Sequence, residues 1–218
     1  TLALANSPAR VVPWGGCDPV FGTNPLSIAF PRRDGPAVVL DMATSVVADY
    51  RVHLAAERGE VFEKPIGLDR ECRATRSPAE AMRGALLPFG EHKGYGIALA
   101  IELLTAAVIG ALPSTEIPRH GSTQGGFLVA AVDPGVFSSP EEFLERAEAI
   151  VRRVKGVKRA PGVREVMVPG EPEHRVYEER SRRGIPVDDR LWKRLVELGR
   201  RFGVEPPTPL RELSLIHI

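Results

Sequence analysis

The sequence predicts an α/β protein with a mixed, largely antiparallel sheet and helices packed on it. Two observations carry that prediction. Strand-like and helix-like runs follow one another without the regular βα alternation of a doubly wound parallel sheet. The turns around the early strands are also short, whereas parallel strands need crossovers of roughly a dozen residues. A third observation says what the sheet packs against: residues 86–111, LLPFGEHKGYGIALAIELLTAAVIGA, contain one long apolar helix.

The elements follow in chain order. Residues 1–35 read as loops and short strands, with turn signals at Trp14-Gly15-Gly16 and in FGTNP at 21–25. Residues 26–30, LSIAF, alternate like a half-buried strand and are ended by Pro31. Residues 37–40 are a short apolar run, expected as a central strand ending at Asp41. Thr44 or Ser45 is expected to cap a helix running to about Arg58, with Gly59 as its stop. Residues 60–85 are polar and irregular. The long helix comes next and is stopped by Gly110 and Pro113. Residues 114–126 form a loop of lid-like length. FLVAAV at 127–132 reads as a second buried strand. Ser139-Pro140-Glu141-Glu142 is a strong helix start, with Ser at the cap, Pro at the first helical position and Glu at the third. That helix runs to about Lys155. Residues 164–168 read as another strand, residues 171–186 as charged loop or helix end, and residues 188–202 as a last amphipathic helix.

The long helix is apolar nearly all round. Ile97, Ile101, Leu104 and Val108 recur at helical spacing, and Ala98, Ala100, Leu103 and Ala107 fill the other faces. Such a helix is expected to be buried. Its beginning is unusual. Gly94 and Gly96 each cost roughly 1 kcal/mol against Ala. Lys93 puts positive charge at the end that already carries partial positive charge. A bound anion would account for all three, because exposed N–H groups, glycines and a lysine together hold a phosphate or carboxylate. A Gly-rich turn with a solvated lysine accounts for them as well, and the residues alone leave both readings open.

Composition narrows the function. The formal net charge of +1 gives no broad attraction to nucleic acid or anionic membrane. No charge-free apolar run reaches the ~20 residues of a membrane span. Cys17 and Cys72 form no metal-ligand pattern and no disulfide framework, so free thiols in a reducing, cytoplasmic compartment are expected. There is no G-x-G-x-x-G after a strand and no P-loop. His92 and His120 with Glu91 and Glu116 match no ligand spacing, and no metal is expected. Ser7, Ser45 and Ser122 lack a nucleophile-elbow context. His53 reads as a structural histidine, and the basic run 152–159 as a solvated helix end. Asp41-Met42-Ala43-Thr44-Ser45 carries more information: a carboxylate at a strand's end before a hydroxyl-capped helix is where α/β sites collect ligands, although a plain helix cap has the same pattern.

Three segments together, GTNPLSIAFP at 22–31, VVLDMATSVVA at 38–48 and LLPFGEHKGYGIALAIELL at 86–104, resemble the malate/L-lactate dehydrogenase family of the non-Rossmann type. That family includes ureidoglycolate and sulfolactate dehydrogenases and piperideine-2-carboxylate reductases. Ala5-Asn6-Ser7-Pro8, Trp14-Gly15-Gly16, residues 127–134 and Val168-Pro169-Gly170-Glu171 fall in the same order, so the resemblance reaches about residue 205.

The resemblance implies a non-Rossmann fold that binds NAD or NADP, usually as a homodimer, and exchanges a hydride with a 2-hydroxy or 2-oxo acid or sometimes a cyclic imine. A non-catalytic cofactor-binding or oligomerisation module is the rival reading. By position, Ser7, Asp41, Met42, Ala43 and Lys93 match cofactor-contacting motifs, and Thr44, Ser45, Gly170 and Glu171 match them less closely. Pro172 stands where the family has Arg after the Gly-Glu pair. The family's proton-transferring histidine matches no residue here and is expected upstream of Thr1, which makes this polypeptide a truncated fragment, catalytically inactive alone. Residues 1–165 are expected to form most of a nucleotide-binding domain, and 166–212 to pack on an absent N-terminal domain. Residues 213–218 read as an adapter-derived tail.

Overall fold

The computed structural model describes residues 1–119 and 124–209. His120, Ser122 and the 213–218 tail lie outside the described residues. The strands are β1 (Leu2–Ala5), β2 (Leu26–Phe30), β3 (Val38–Met42), β4 (Gly67–Leu68), β5 (Ala74–Thr75), β6 (Ala85–Leu86) and β7 (Phe127–Ala130). The α-helices are α1 (Asp49–Glu57), α2 (Pro78–Arg83), α3 (His92–Glu102), α4 (Pro140–Lys155), α5 (Glu171–Arg183) and α6 (Asp189–Arg201). A π-helical turn, Leu103–Val108, continues α3.

Every pair of named strands is antiparallel. The larger sheet runs β3-β2-β1-β7 and the smaller β5-β4-β6. In the larger sheet Ile28 faces both Leu40 and Leu2, which puts their side chains on one face. Leu4, Leu26 and Ile101 of α3 form one core cluster there. Ala98, a turn earlier on α3, belongs to a second cluster with Val11, Phe21, Val52 and Leu86. One helix therefore serves two cores through side chains three positions apart. The chain divides into two compact units, Thr1–Gly170 and the residues from Glu171 onward.

Several expectations change. β3 is an edge strand, because its second neighbour is missing from the sheet order. β7 is the other edge, so Phe127 and Val129 stay exposed where a buried strand was expected. α1 starts at Asp49 with Ala48 at its cap, not at Thr44 or Ser45, whose hydroxyls turn inward. Residues 164–168 form no strand, and Pro169 O accepts a hydrogen bond from Val39 N at the edge of β3. Residues 171–183 are fully helical. α5 has little apolar periodicity but places Glu171 and Glu173 in its first turn and Arg180, Arg182 and Arg183 in its last, in accord with the helix dipole. α3 is not buried all round: Ala98 and Ile101 are buried, while Leu103 and Val108 on its continuation are exposed. Cys17 and Cys72 are not free thiols; they form a disulfide with Cα atoms 5.6 Å apart. Their separation of 55 residues hid that pairing from the sequence. Among the described residues no helix is long and apolar enough to cross a membrane.

Candidate functional site

The start of α3 and the corner after β3 form one place. Val46 N donates to Leu87 O at 2.9 Å and Phe89 N to Thr44 O at 3.0 Å, so the two chain segments run side by side. A Cβ on Gly94 would stand 2.9 Å from Thr44 O and closer still to Phe89 O. Only glycine lets the helix seat this tightly against the corner. The second glycine is different: a Cβ on Gly96 would meet nothing within 4 Å. Gly94 is thus a packing glycine, and Gly96 lies under open space. Of the two glycines, only Gly96 has open space beside it.

The helix start also differs from a bare anion hole. Lys93 N donates to Gly90 O at 3.2 Å, Gly94 N to Phe89 O at 2.9 Å and Tyr95 N to Glu91 O at 3.3 Å. These first-turn N–H groups are already satisfied within the chain. The turn that allows this puts Gly90 at φ 53° and Glu91 at φ 59°. A non-glycine residue in that region stores local strain on the order of 1–3 kcal/mol. The attraction for an anion rests instead on Lys93, which is exposed and has no ion-pair partner among the described residues.

Ser7 reaches the same place through the 22–24 turn. Its Oγ accepts from Thr23 N at 3.2 Å, and a Cβ on Gly22 would collide with Ser7. Thr44 N donates to Thr23 O at 2.8 Å, and Thr44 Oγ1 bonds Thr23 O at 2.9 Å and Asn24 O at 3.1 Å. Asp41 is exposed at the end of β3, and Met42 and Ala43 are half-buried. Thr44 is fully buried, and Ser45 Oγ donates to Val47 O at 2.7 Å. Thr44 and Ser45 therefore hold the corner together with side chains that are already engaged. A path of hydrogen bonds through the backbone thus runs from Ser7 by way of Thr23 and Thr44 to Phe89 and the start of α3. Gly170 lies elsewhere on the first unit, with φ 94°, against Ala37 and Val39 at the beginning of β3. Glu171 opens the second unit. His53 Nε2 sits 3.4 Å from Asp49 Oδ2, and Asp49 Oδ1 accepts from Arg10 Nε at 2.8 Å. His53 thus lies beside the Arg10–Asp49 ion pair on α1.

Sequence reasoning missed a polar network behind this surface. The Glu102 carboxylate at the end of α3 accepts hydrogen bonds from Asn6, Asn24 and Ser114. A glutamate within an apolar helix was the available signal, but its three partners lie in distant segments.

The comparisons with known proteins point one way. The family profile described as malate/L-lactate dehydrogenase matches residues 1–196. The chain is 33% identical over 208 residues to the L-sulfolactate dehydrogenase of Methanothermobacter thermautotrophicus, covering 93% of this chain and 59% of that protein. It is 35% identical over 206 residues to a Delta(1)-pyrroline-2-carboxylate/Delta(1)-piperideine-2-carboxylate reductase of Pseudomonas aeruginosa, covering 90% and 60%. The solved sulfolactate dehydrogenase from Methanocaldococcus jannaschii superposes with a TM-score of 0.81 at 31% identity, covering 94% of this chain and 59% of that one. The chain thus spans about three-fifths of the length of these relatives. Its motifs, its antiparallel fold and the profile match over 196 residues agree: the chain belongs to the malate/L-lactate dehydrogenase family.

Proposed function

We propose that the protein is an NAD(P)-dependent oxidoreductase that interconverts a 2-hydroxy acid and its 2-oxo acid. The nicotinamide cofactor, when bound, supplies or accepts the hydride. The observation that carries the reading is the pairing of the segment before α3 with the corner after β3, Val46 N to Leu87 O and Phe89 N to Thr44 O, which brings the helix start that bears Lys93 to that corner. An exposed lysine without an ion-pair partner among the described residues fits an anionic cofactor group, and the open space over Gly96 leaves room for it.

In this reading Ser7, Asp41, Met42, Ala43 and Lys93 line the cofactor. Thr44 and Ser45 fix the corner from behind. Gly170 shapes the edge of β3, and Glu171 is a further cofactor-binding candidate. Lys93 holds and orients an anionic group by charge. Hydride leaving the substrate carbon requires a base for the hydroxyl proton. No histidine of this chain matches the family's proton-transfer motif, so chain 1–218 is expected to bind nucleotide without turnover. Residues 1–165 act as the nucleotide-binding part. The protein works as a homodimer; the Cys17–Cys72 disulfide removes the free-thiol ground on which a cytoplasmic location was expected.

The likeness to the Pseudomonas reductase favours a second reading, NAD(P)H-dependent reduction of a cyclic imine carboxylate. A full-length parent assayed with pyruvate, malate and a cyclic imine carboxylate separates the two. Turnover of the hydroxy or oxo acids supports the first, turnover of the imine alone replaces it with the second, and nucleotide binding without turnover of any leaves a cofactor-binding module.

A further inference from the structure

The Glu102 carboxylate lies at the junction of α3 with the π-helical turn, at the other end of the helix that carries Lys93. Its Oε1 accepts from Ser114 N at 2.5 Å and from Asn6 Nδ2 at 3.4 Å. Its Oε2 accepts from Ser114 Oγ at 2.7 Å and from Asn24 Nδ2 at 2.8 Å. All these donors are neutral. Asn6 and Ser114 each also hold a second segment, and Asn24 bonds α3 a second time. Asn6 Nδ2 reaches Leu112 O at 3.0 Å, and Asn6 Oδ1 accepts from Gly126 N at 2.6 Å. Asn24 Nδ2 also reaches Ala98 O at 3.3 Å. Asn24 is fully buried with φ 28°, a backbone angle that needs outside support.

Two of these partners lead directly to the proposed cofactor surface. Asn6 precedes Ser7. Asn24 O accepts from Thr44 Oγ1 at 3.1 Å, in the corner that meets the start of α3. The carboxylate therefore links the helix bearing Lys93 to the segment bearing Ser7 and to the turn that holds the Asp41–Ser45 corner. Helices twist and slide at low cost where only apolar side chains touch, whereas a buried multi-donor network has one satisfied arrangement. The π-helical turn beside it has its own fixed contacts: Thr105 Oγ1 donates to Ile101 O at 2.7 Å, and Gly126 packs directly on Thr105 O. Such turns recur at functional sites.

We propose that Glu102 is a positioning residue for nucleotide binding: it sets the rotation and depth of α3, so that Lys93 faces the corner after β3, without touching the nucleotide. This rests on the cofactor reading above. Both carboxylate oxygens must accept. Gln at 102 presents an NH2 group to hydrogen-bond donors in either orientation, and turning Asn24 to meet it would aim Asn24 Oδ1 at Ala98 O.

The experiment titrates NADH and NADPH fluorescence into the full chain as wild type, Glu102→Gln, Lys93→Ala and the double variant, below the melting temperature of each. Amide hydrogen exchange is followed in parallel without nucleotide. Glu102→Gln is expected to weaken binding about tenfold, and the double variant to bind no more weakly than Lys93→Ala alone, since both changes remove the same aligned lysine. Exchange is expected to rise at the amides of Thr44 and Phe89 while Val52 in α1 stays protected. Ser114→Ala removes one donor and leaves the carboxylate, so it should shift affinity and exchange the same way by a smaller factor; it replaces Glu102→Gln if that variant fails to fold. Unchanged affinity and exchange in Glu102→Gln overturn the proposal while a loss in Lys93→Ala keeps the cofactor reading. Additive losses also overturn it, because they assign Glu102 a general structural role. If wild type binds neither nucleotide, the cofactor reading fails and takes this proposal with it.

Discussion

The two glycines at the start of α3 make opposite predictions. Replacing Gly94 by Ala places a methyl against three backbone atoms, Phe89 O, Phe89 N at 2.8 Å and Thr44 O at 2.9 Å. None is a flexible side-chain end, so the helix or the corner must move. Overpacking of this kind costs about 3 kcal/mol at the upper end, and the gain in helix propensity returns about 1 kcal/mol. The net loss is then about 2 kcal/mol, which for a chain of this size lowers the melting temperature by about 4–8 °C. Gly96→Ala meets nothing within 4 Å and gains propensity alone. It should be more stable by about 0.5–1 kcal/mol, or roughly 1–4 °C. Its effect on ligand is the reverse, because the methyl occupies the open space beside Lys93 and weakens nucleotide binding. Thermal unfolding followed by circular dichroism, with NAD(P)H titration of both variants, reads all of this. A Gly94→Ala chain as stable as wild type with unchanged nucleotide affinity would refute the argument that helix and corner are pressed into one site.

Other consequences follow from the same structure. Opening the Cys17–Cys72 disulfide releases a loop of 55 residues, which by chain entropy is worth about 4 kcal/mol. The reduced chain, or Cys17→Ala, should therefore melt lower; an unshifted melt together with two thiols titrating in the native chain would contradict the pairing. Glu148 is held below its ordinary carboxylate value of 4.5 by its hydrogen bond from Arg32, with Asp34 N adding to it and burial opposing it. A lowered folded-state value means that this stabilisation is present above about pH 5 and lost as pH falls through the folded value. Wild type should lose melting temperature below pH 5, and Glu148→Gln should melt lower at neutral pH with a flatter acid slope; parallel profiles would count against it.

Much of the architecture was readable where the governing physics is local. Ser139 does form the reciprocal capping box with Glu142, since that motif needs only residues within four positions of one another. LSIAF is β2 because alternation over a short span specifies a pleated surface. Whether a strand is central or edge depends on pairing order, which is why the short run before Asp41 was placed wrongly. α5 was missed because charges along i,i+4, such as Glu179 with Arg183, support it in place of an apolar stripe. At the site, Lys93 and the Asp41–Ser45 corner were legible as separate oddities. The packing that brings the start of α3 to that corner passes through Gly94 and the backbone of Thr44, which no local pattern marks. Glu102 was invisible as a site residue because Asn6, Asn24 and Ser114 converge on it only in three dimensions.

The most direct measurement is the affinity of wild type and Lys93→Ala for NADH and NADPH by fluorescence titration of the purified chain. Loss of a charge-assisted contact of about 1.5–3 kcal/mol weakens binding by about ten- to a hundredfold, with the fold retained, because the lysine side chain is solvent-exposed. Equal affinity of the two proteins would contradict the assignment of this corner to the cofactor.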